Sequence, residues 1–417
     1  MADEAQWRNK QSQVRQKALQ DELRELIDLV GPVPLVDLLF ERAFQLNATD
    51  IHMDPTPLGL RIRVRVDGIL HDVLDVPEPL TGALVNRVKL MAGENIVERR
   101  VAQDGHIVAQ HQGRPRDIRV GSGPTIHGER LVLRLMPDSE SFLYLDQLGM
   151  DLDQVKLLKY LLGLPFGVLL SVGPVGSGKS TTMYSCLEGL NDPTKSLVTI
   201  EDPVERHVRG VNQVQIDPKI GFNFVDALKG VLRQDPNVMM IGEIRDPETA
   251  HIGIRAGRTG VLVLSTMHSN DAASSIDMLR DFNISPLFIA DGVQAIVSQR
   301  LMRQVCRHCR VTYRPDADAC QILGIDSVEA TRTELVRGEG CEACFRTGYS
   351  GRVGVFEILR LDEDLRQGII AGLSRAQITA MARSKGMRTL HESAVLKVRS
   401  GTSTLEELDR LLRSRND

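Results

Sequence analysis

Aromatic side chains make up 4% of this 417-residue chain, which has one tryptophan. So sparse a supply gives no stacking platform for single-stranded nucleic acid, whose bases lie on aromatic rings. Neither sign of charge dominates: 51 lysines and arginines face 55 aspartates and glutamates, a formal net charge of −4. That removes any global electrostatic case for a polyanionic partner and leaves open only local basic strips. No apolar run approaches the roughly 18 residues that a membrane-spanning helix needs, and residues 1–30 are too charged for a signal peptide. The expectation is a cytoplasmic protein that meets a membrane only through partners. Six cysteines are too few for a disulfide scaffold at this length, and four of them fall into two C-x-x-C pairs. What remains, 42% hydrophobic and 25% charged residues, is the composition of a globular protein with room for two or three domains.

The stretch around which the chain is organised is Gly173-Pro174-Val175-Gly176-Ser177-Gly178-Lys179-Ser180-Thr181. It fits G-x-x-x-x-G-K-[ST] and lies between an apolar run at 166–172 and a helix-compatible run at 181–190, the strand–loop–helix context that the motif requires. Glycines let backbone N–H groups turn inward around phosphate oxygens, and the loop runs into a positive helix N-terminus. Lys179 would reach the terminal phosphates of ATP, and the Ser180 hydroxyl would bind Mg²⁺. The nucleotide-binding candidates are therefore Gly173, Gly176, Ser177, Gly178, Lys179, Ser180 and Thr181.

Ahead of this loop, residues 6–30 read as one amphipathic helix, with Gly31-Pro32-Val33-Pro34 as a break before a second helix reaching residue 46. From Ile51 the period becomes two. Leu60-Arg61-Ile62-Arg63-Val64-Arg65-Val66 puts Arg61, Arg63 and Arg65 on one strand face, and Asp67-Gly68 marks a tight turn. Such a face meets phosphate or an acidic partner, or is simply solvated. A helix at 80–91 and strands at 116–120 and 130–135, with Arg119 and Arg134 projecting from the strands, complete a compact α+β domain over 47–137, with a linker at 137–141. Beyond it, strands at 166–172, 197–200, 211–216, 238–241 and 261–265 alternate with helices at 181–190, 224–234, 247–256, 272–282 and 286–301. This is the order of a parallel α/β sheet, which binds nucleotide at the carboxyl ends of its strands.

Polar residues just past those strand ends are the ones to weigh. Glu201-Asp202-Pro203-Val204-Glu205 supplies three carboxylates in five positions, and phosphoryl transfer to water needs carboxylates to orient the water and hold Mg²⁺ through its shell. Gly242-Glu243-Ile244-Arg245-Asp246 follows the next strand; Gly242 stands where many such ATPases have Asp, leaving that work to Glu243. Ser265-Thr266-Met267-His268-Ser269-Asn270-Asp271 ends another, with His268 placed to sense a γ-phosphate. Cys306-x-x-Cys309 and Cys341-x-x-Cys344 can give four thiolates to a closed, structural Zn²⁺, with a redox pair as the alternative. Cys186 and Cys320 have no partner spacing.

These segments resemble the secretion and pilus-assembly ATPases of type II secretion and type IV pilus systems, from about residue 36 to 412. The motifs are Ala48-Thr49-Asp50-Ile51-His52, Glu98-Arg99-Arg100 with Gln103-Asp104-Gly105, Arg233-Gln234-Asp235-Pro236, the two strand-end segments around Glu243 and His268, and Thr347-Gly348-Tyr349-Ser350-Gly351-Arg352 with Gly354 to Glu357. The resemblance implies an α/β fold class: a RecA-like P-loop domain at 141–417, carrying a four-cysteine zinc subdomain at 303–352 and C-terminal helices at 360–417. Before it would stand a smaller α+β, PAS-like domain at 36–140 and a helical extension at 1–35. It further implies a homohexameric ATP hydrolase, using ATP, Mg²⁺ and Zn²⁺, on the cytoplasmic face of the inner membrane. There it would work on a membrane platform protein that adds pilin-like subunits, with no nucleic acid as partner. Carried over, the catalytic glutamate falls on Glu205, the Walker B glutamate on Glu243 and the His-box histidine on His268. Two arginines that reach the γ-phosphate fall on Arg119 and Arg134. The cysteine pairs mark the assembly branch, since the retraction branch generally lacks them. The rival readings are a nucleic-acid motor built on a related core, a pilus retraction ATPase, and a scaffold that binds ATP without turnover.

Overall fold

A computed structural model describes Leu23, residues 31–137 and residues 143–413. But for Leu23, the expected helix at 6–30 lies outside the described residues, as does most of the expected linker. The described chain falls into two compact units. One is drawn from Met1–Asp138, Val305–Val311 and Arg337–Gly351, the other from Ser139–Gln304, Thr312–Val336 and Arg352–Asp417. No helix among the described residues is long and apolar enough to cross a membrane.

The first unit opens on the helix Pro32–Gln45, followed by β1 (Asp50–Thr56), β2 (Gly59–Val66), β3 (Ile69–Pro77), the helix Glu78–Met91, β4 (Gln103–His111), β5 (Arg114–Thr125) and β6 (Gly128–Leu135). They form one sheet in the order β3-β2-β1-β6-β5-β4, every neighbour antiparallel. The alternation seen in the sequence decides its faces. Leu60, Ile62 and Val64 are buried with Ile51, Met53, Ile118 and Leu131 against Val36, Leu39, Leu84 and Val88 of the two helices. Asp67 and Gly68, with φ of 49° and 87°, make the β2–β3 turn in the left-handed conformation that matches strand twist. Strand β4 escaped the sequence reading because only its Ile107 and Ala109 are buried, as suits the edge of a sheet.

The arginine face of β2 is paired within itself. Arg61 meets Asp75 at 3.1 Å, Arg63 meets Asp54 at 2.7 Å and Arg65 meets Asp50 at 3.2 Å. Arg130 of β6 reaches the other Asp54 oxygen at 2.7 Å. Arg119 and Arg134 are direct cross-strand partners on β5 and β6, in a row that continues to His106 on one side and Asp50 on the other.

Sequence order puts the cysteine segments far beyond this unit, yet their contacts group them with it. Phe345 joins its core and stacks on His71 with ring centroids 4.7 Å apart. The Asp67 carboxylate accepts the Gly351 N–H at 2.7 Å.

In the second unit lie β7 (Gly167–Val172), β8 (Leu197–Glu201), β9 (Asn212–Gln215), β10 (Val238–Ile241), β11 (Leu262–Met267) and, but for its last residue, β12 (Val293–Val305); β13 (Arg310–Tyr313), β14 (Leu335–Gly338) and β15 (Tyr349–Arg360) are each divided between the two units. Seven of these form a sheet ordered β15-β12-β7-β11-β10-β8-β9, parallel from β12 through β9; β13 and β14 pair separately. Every residue of β7, β8, β10 and β11 is buried. Such strands are apolar on both sides because both sides are covered. Val168, Leu170 and Val172 feed one core, with Ile254 and Ile276; Leu169 and Leu264 feed the other, with Leu187 and Leu158.

One expectation fails here. The helix read over 286–301 stops at Gly292, and Val293–Val305 is strand β12, lying parallel to β7. Buried on both faces, it has no alternation to betray it, and an apolar run of that kind is ambiguous between helix and strand. Four helices, Glu363–Ile370, Arg375–Ser384, Leu390–Arg399 and Leu405–Arg413, end the described chain. The Thr404 hydroxyl accepts from the Glu407 N–H and so caps the last of these helices, while the Glu407 carboxylate turns to Arg303, whose Nε lies 2.8 Å away.

Candidate functional site

Because β7, β11, β10 and β8 are neighbours and parallel, their carboxyl ends share one edge of the sheet. At the end of β7, Gly178 (φ 90°) turns the chain into the helix Lys179–Leu190, so the loop runs straight into a helix N-terminus. Gly173 is required by contact: a Cβ there would stand 2.6 Å from the Gln299 carbonyl oxygen and from Ser177 Oγ. Lys179 is buried, and its Nζ donates to the carbonyls of Gly173 (2.9 Å) and Pro174 (3.0 Å). Burial, with Arg300 adding to it and Glu243 and Glu205 opposing, brings the Lys179 pKa down to about 8. Ser177 Oγ is buried with no hydrogen-bond partner, a polar group that fits an oxygen-rich ligand. Ser180 and Thr181 follow on the first turn of the helix, both half-buried.

The charges of two carboxylates, Glu243 and Glu205, act on this lysine. Glu243, past β10, pairs with Arg245, and its second oxygen lies 3.7 Å from Nε2 of His268, past β11. Burial and the Lys179 charge hold the His268 pKa below the usual value against the pull of Glu243, which keeps the imidazole neutral at physiological pH. Past β8, the three carboxylates separate. Glu201 is buried and taken up by Tyr184, Thr199 and Gln213; Asp202 is exposed; Glu205 is half-buried and near enough to act on the charge of Lys179. Lys179, Glu205, Glu243 and His268 thus come together, as residues from four strand ends.

Arg119 and Arg134 belong to the other unit, where Arg134 is exposed and Arg119 half-buried. Sequence reasoning missed several residues that hold this edge in place. Gln299 of β12 donates to the Ser177 carbonyl at 2.9 Å and accepts from Ser171 Oγ at 3.0 Å; Arg300 donates to the Asn270 carbonyl at 2.8 Å. Both sit in the segment misread as helix. Tyr184 lies inside the helix-compatible run 181–190, where no motif singles it out.

The four paired cysteines form the one cluster of three or more metal-ligating side chains found among the described residues, every donor within 4.8 Å of the others. Sγ separations are 3.9 Å for Cys306–Cys341, 3.8 Å for Cys309–Cys344 and 3.7 Å for Cys341–Cys344. Four thiolates at the usual Zn–S distance stand roughly 3.8 Å apart at the corners of a tetrahedron. Backbone N–H groups of Gly340 and Gly348 point at Cys309 and Cys344 sulfurs, each at 3.3 Å, as they do where sulfur carries negative charge. The donor set fits zinc.

Comparison with known proteins finds relatives over most of the chain. Type IV pilus assembly ATPase PilB of Thermus thermophilus is 40% identical over 373 residues, which cover 89% of this chain and 42% of that protein. Type II secretion system protein E of Pseudomonas aeruginosa is 40% identical over 402 residues, 95% of this chain and 80% of the relative. The chain therefore spans less than half of the first relative and four-fifths of the second. Among solved structures, that of the pilus retraction motor PilT with bound ADP matches with a TM-score of 0.62 and 25% identity, over 90% of this chain and 96% of that one. The profile of the family described as Type II/IV secretion system protein matches residues 28–410. On that match, which takes in both units, the chain belongs to the type II/IV secretion system protein family.

Proposed function

We propose that this chain is an ATPase motor that couples ATP hydrolysis to assembly of a type IV pilus or a type II secretion pseudopilus. The observation that carries the proposal is the convergence of Lys179, Glu205, Glu243 and His268 on the carboxyl edge of one parallel sheet. Family membership brings with it the use of a nucleotide with Mg²⁺. In this reading Lys179 and Ser180 hold MgATP, Glu205 orients the attacking water, Glu243 supports the Mg²⁺ side, and His268 answers to the γ-phosphate. By the family resemblance, Arg119 and Arg134 are the arginines that would add positive charge at the γ-phosphate. The motor works as a homohexamer in the cytoplasm and meets the inner membrane through its platform protein.

Cys306, Cys309, Cys341 and Cys344 would hold Zn²⁺ in a closed site whose chemistry is structural. On the family resemblance, these four place the motor on the assembly side. The purified protein should carry about one zinc per chain by elemental analysis, and C341S/C344S should lose it and be cut faster by protease within 305–351.

E205Q tests the central assignment. In the assembled ring it should lower kcat by roughly 10²- to 10⁴-fold while leaving the KM for ATP unchanged. Wild-type turnover by E205Q would sink the reading.

A further inference from the structure

The phenol of Tyr184 stands at the centre of a buried network for which the proposed chemistry has no use. Tyr184 is 2% exposed, on the helix Lys179–Leu190 that begins with the phosphate-loop lysine. A tyrosine hydroxyl has one proton to give and two lone pairs to receive with. Here all are used: the hydroxyl donates to Glu201 Oε2 and accepts the backbone N–H groups of Glu205 and Arg206, each at 3.2 Å. The other Glu201 oxygen accepts from Thr199 Oγ1 at 2.6 Å and from Gln213 Nε2 at 3.2 Å. Glu201 is 4% exposed and ringed by donors, so the phenol proton has one destination. With that proton committed, both lone pairs are left for the amides of Glu205 and Arg206.

Burial and the Glu201 charge push the Tyr184 pKa up, so the proton stays in place. Gln213 of β9 closes the other side. Its Nε2 also donates to the Arg206 carbonyl at 2.8 Å, and its Oε1 accepts the Val208 N–H at 2.8 Å. The backbone from Glu205 to Val208 is thus tied at four points to the phosphate-loop helix and the sheet edge. A carboxylate that must orient water gains from such fixing, because an error of about 1 Å in placement costs on the order of a hundredfold in rate.

We infer that Tyr184 is a positioning residue for Glu205: oriented by Glu201, its oxygen holds the Glu205 backbone at a fixed place relative to Lys179, five residues earlier on the same helix. The inference rests on the proposed role of Glu205 in hydrolysis. It also gives separate work to the two glutamates of Glu201-Asp202-Pro203-Val204-Glu205, one holding and one acting.

Steady-state ATP turnover of the full-length assembled ring tests it, with wild type, Y184F, Q213L and E205Q side by side. Y184F should lower kcat by roughly tenfold or more, with the KM for ATP and the affinity for a fluorescent ADP analogue within about twofold of wild type, since Lys179 and Ser180 are untouched. Q213L should show the same split at roughly threefold. A Y184F kcat within twofold of wild type overturns the inference, and so does a loss shared between kcat and KM, which general disruption would give. Should Y184F fail to assemble, Q213L decides by the same criterion. E205Q separates the two layers: full turnover by E205Q defeats the reading of Glu205 itself, whereas a dead E205Q beside a normal Y184F defeats only the role of Tyr184.

Discussion

Two clusters of charge in this molecule are handled in opposite ways. On the sheet of the first unit, Arg61, Arg63, Arg65 and Arg130 each lie within 3.2 Å of an aspartate oxygen. Burial pushes the Asp54 carboxyl up, yet Arg130 and Arg63 together hold it below its usual value. On the carboxyl edge of the larger sheet, Lys179 hydrogen-bonds to two backbone carbonyls, and its pKa has come down from 10.5 to about 8. The first cluster is neutralised where it stands. The second keeps a destabilised cation, which is worth its cost only where an anion arrives. Paired arginines are thus weak pointers to function, and a depressed lysine in a glycine loop is a strong one.

The largest effect should come from removing that cation. K179A should lower kcat/KM for ATP by roughly 10²- to 10³-fold, the scale for losing a preorganised charged contact to phosphate; a steady-state ATPase assay checks it, and a loss below tenfold would put Lys179 on a par with the paired arginines.

The next effect reads the pKa itself. A bound phosphate favours protonated Lys179, so affinity for ATP should be flat below pH 8 and fall about tenfold per pH unit above it, by titration calorimetry from pH 7 to 9.5. The nucleotide-free fold should change in the other sense, gaining stability from pH 8 towards 10.5, since over that window the unfolded chain holds the proton that the folded one has lost. In K179M both dependences should vanish.

The smallest effect belongs to the paired face. D54A breaks two partly exposed ion pairs and should cost about 1 kcal/mol or less by urea unfolding, with ATP turnover unchanged; a large loss of turnover would mean that this face is more than a neutralised surface.

Much of the site was legible in the sequence because its signals are local. A glycine loop before a helix, acidic residues behind apolar strands and two C-x-x-C pairs each announce themselves within ten residues. What stayed hidden depends on distance. Local pattern leaves Glu201 and Glu205 equivalent and the family resemblance names Glu205; what takes Glu201 out of the chemistry physically is its burial against Tyr184, Thr199 and Gln213. Gln299 and Arg300 were lost because β12, covered on both faces, gives no period to separate strand from helix. The attachment of Phe345 to His71 joins residues from the two ends of the chain, and no local pattern reports such a pair.

The first unit is assembled from three stretches of chain, the last two synthesised after six of the seven strands of the larger sheet. Domains commonly fold in the order in which they leave the ribosome, but this one stays unfinished until residue 351 has emerged. A protein cut after the sixth strand of the unit's own sheet would lack Phe345 from its core and the cysteines altogether. In this chain the two units are therefore built in overlap: the unit begun first is closed only after six of the seven strands of the larger sheet have been made, and the other is completed after it by the rest of β15 and the four C-terminal helices.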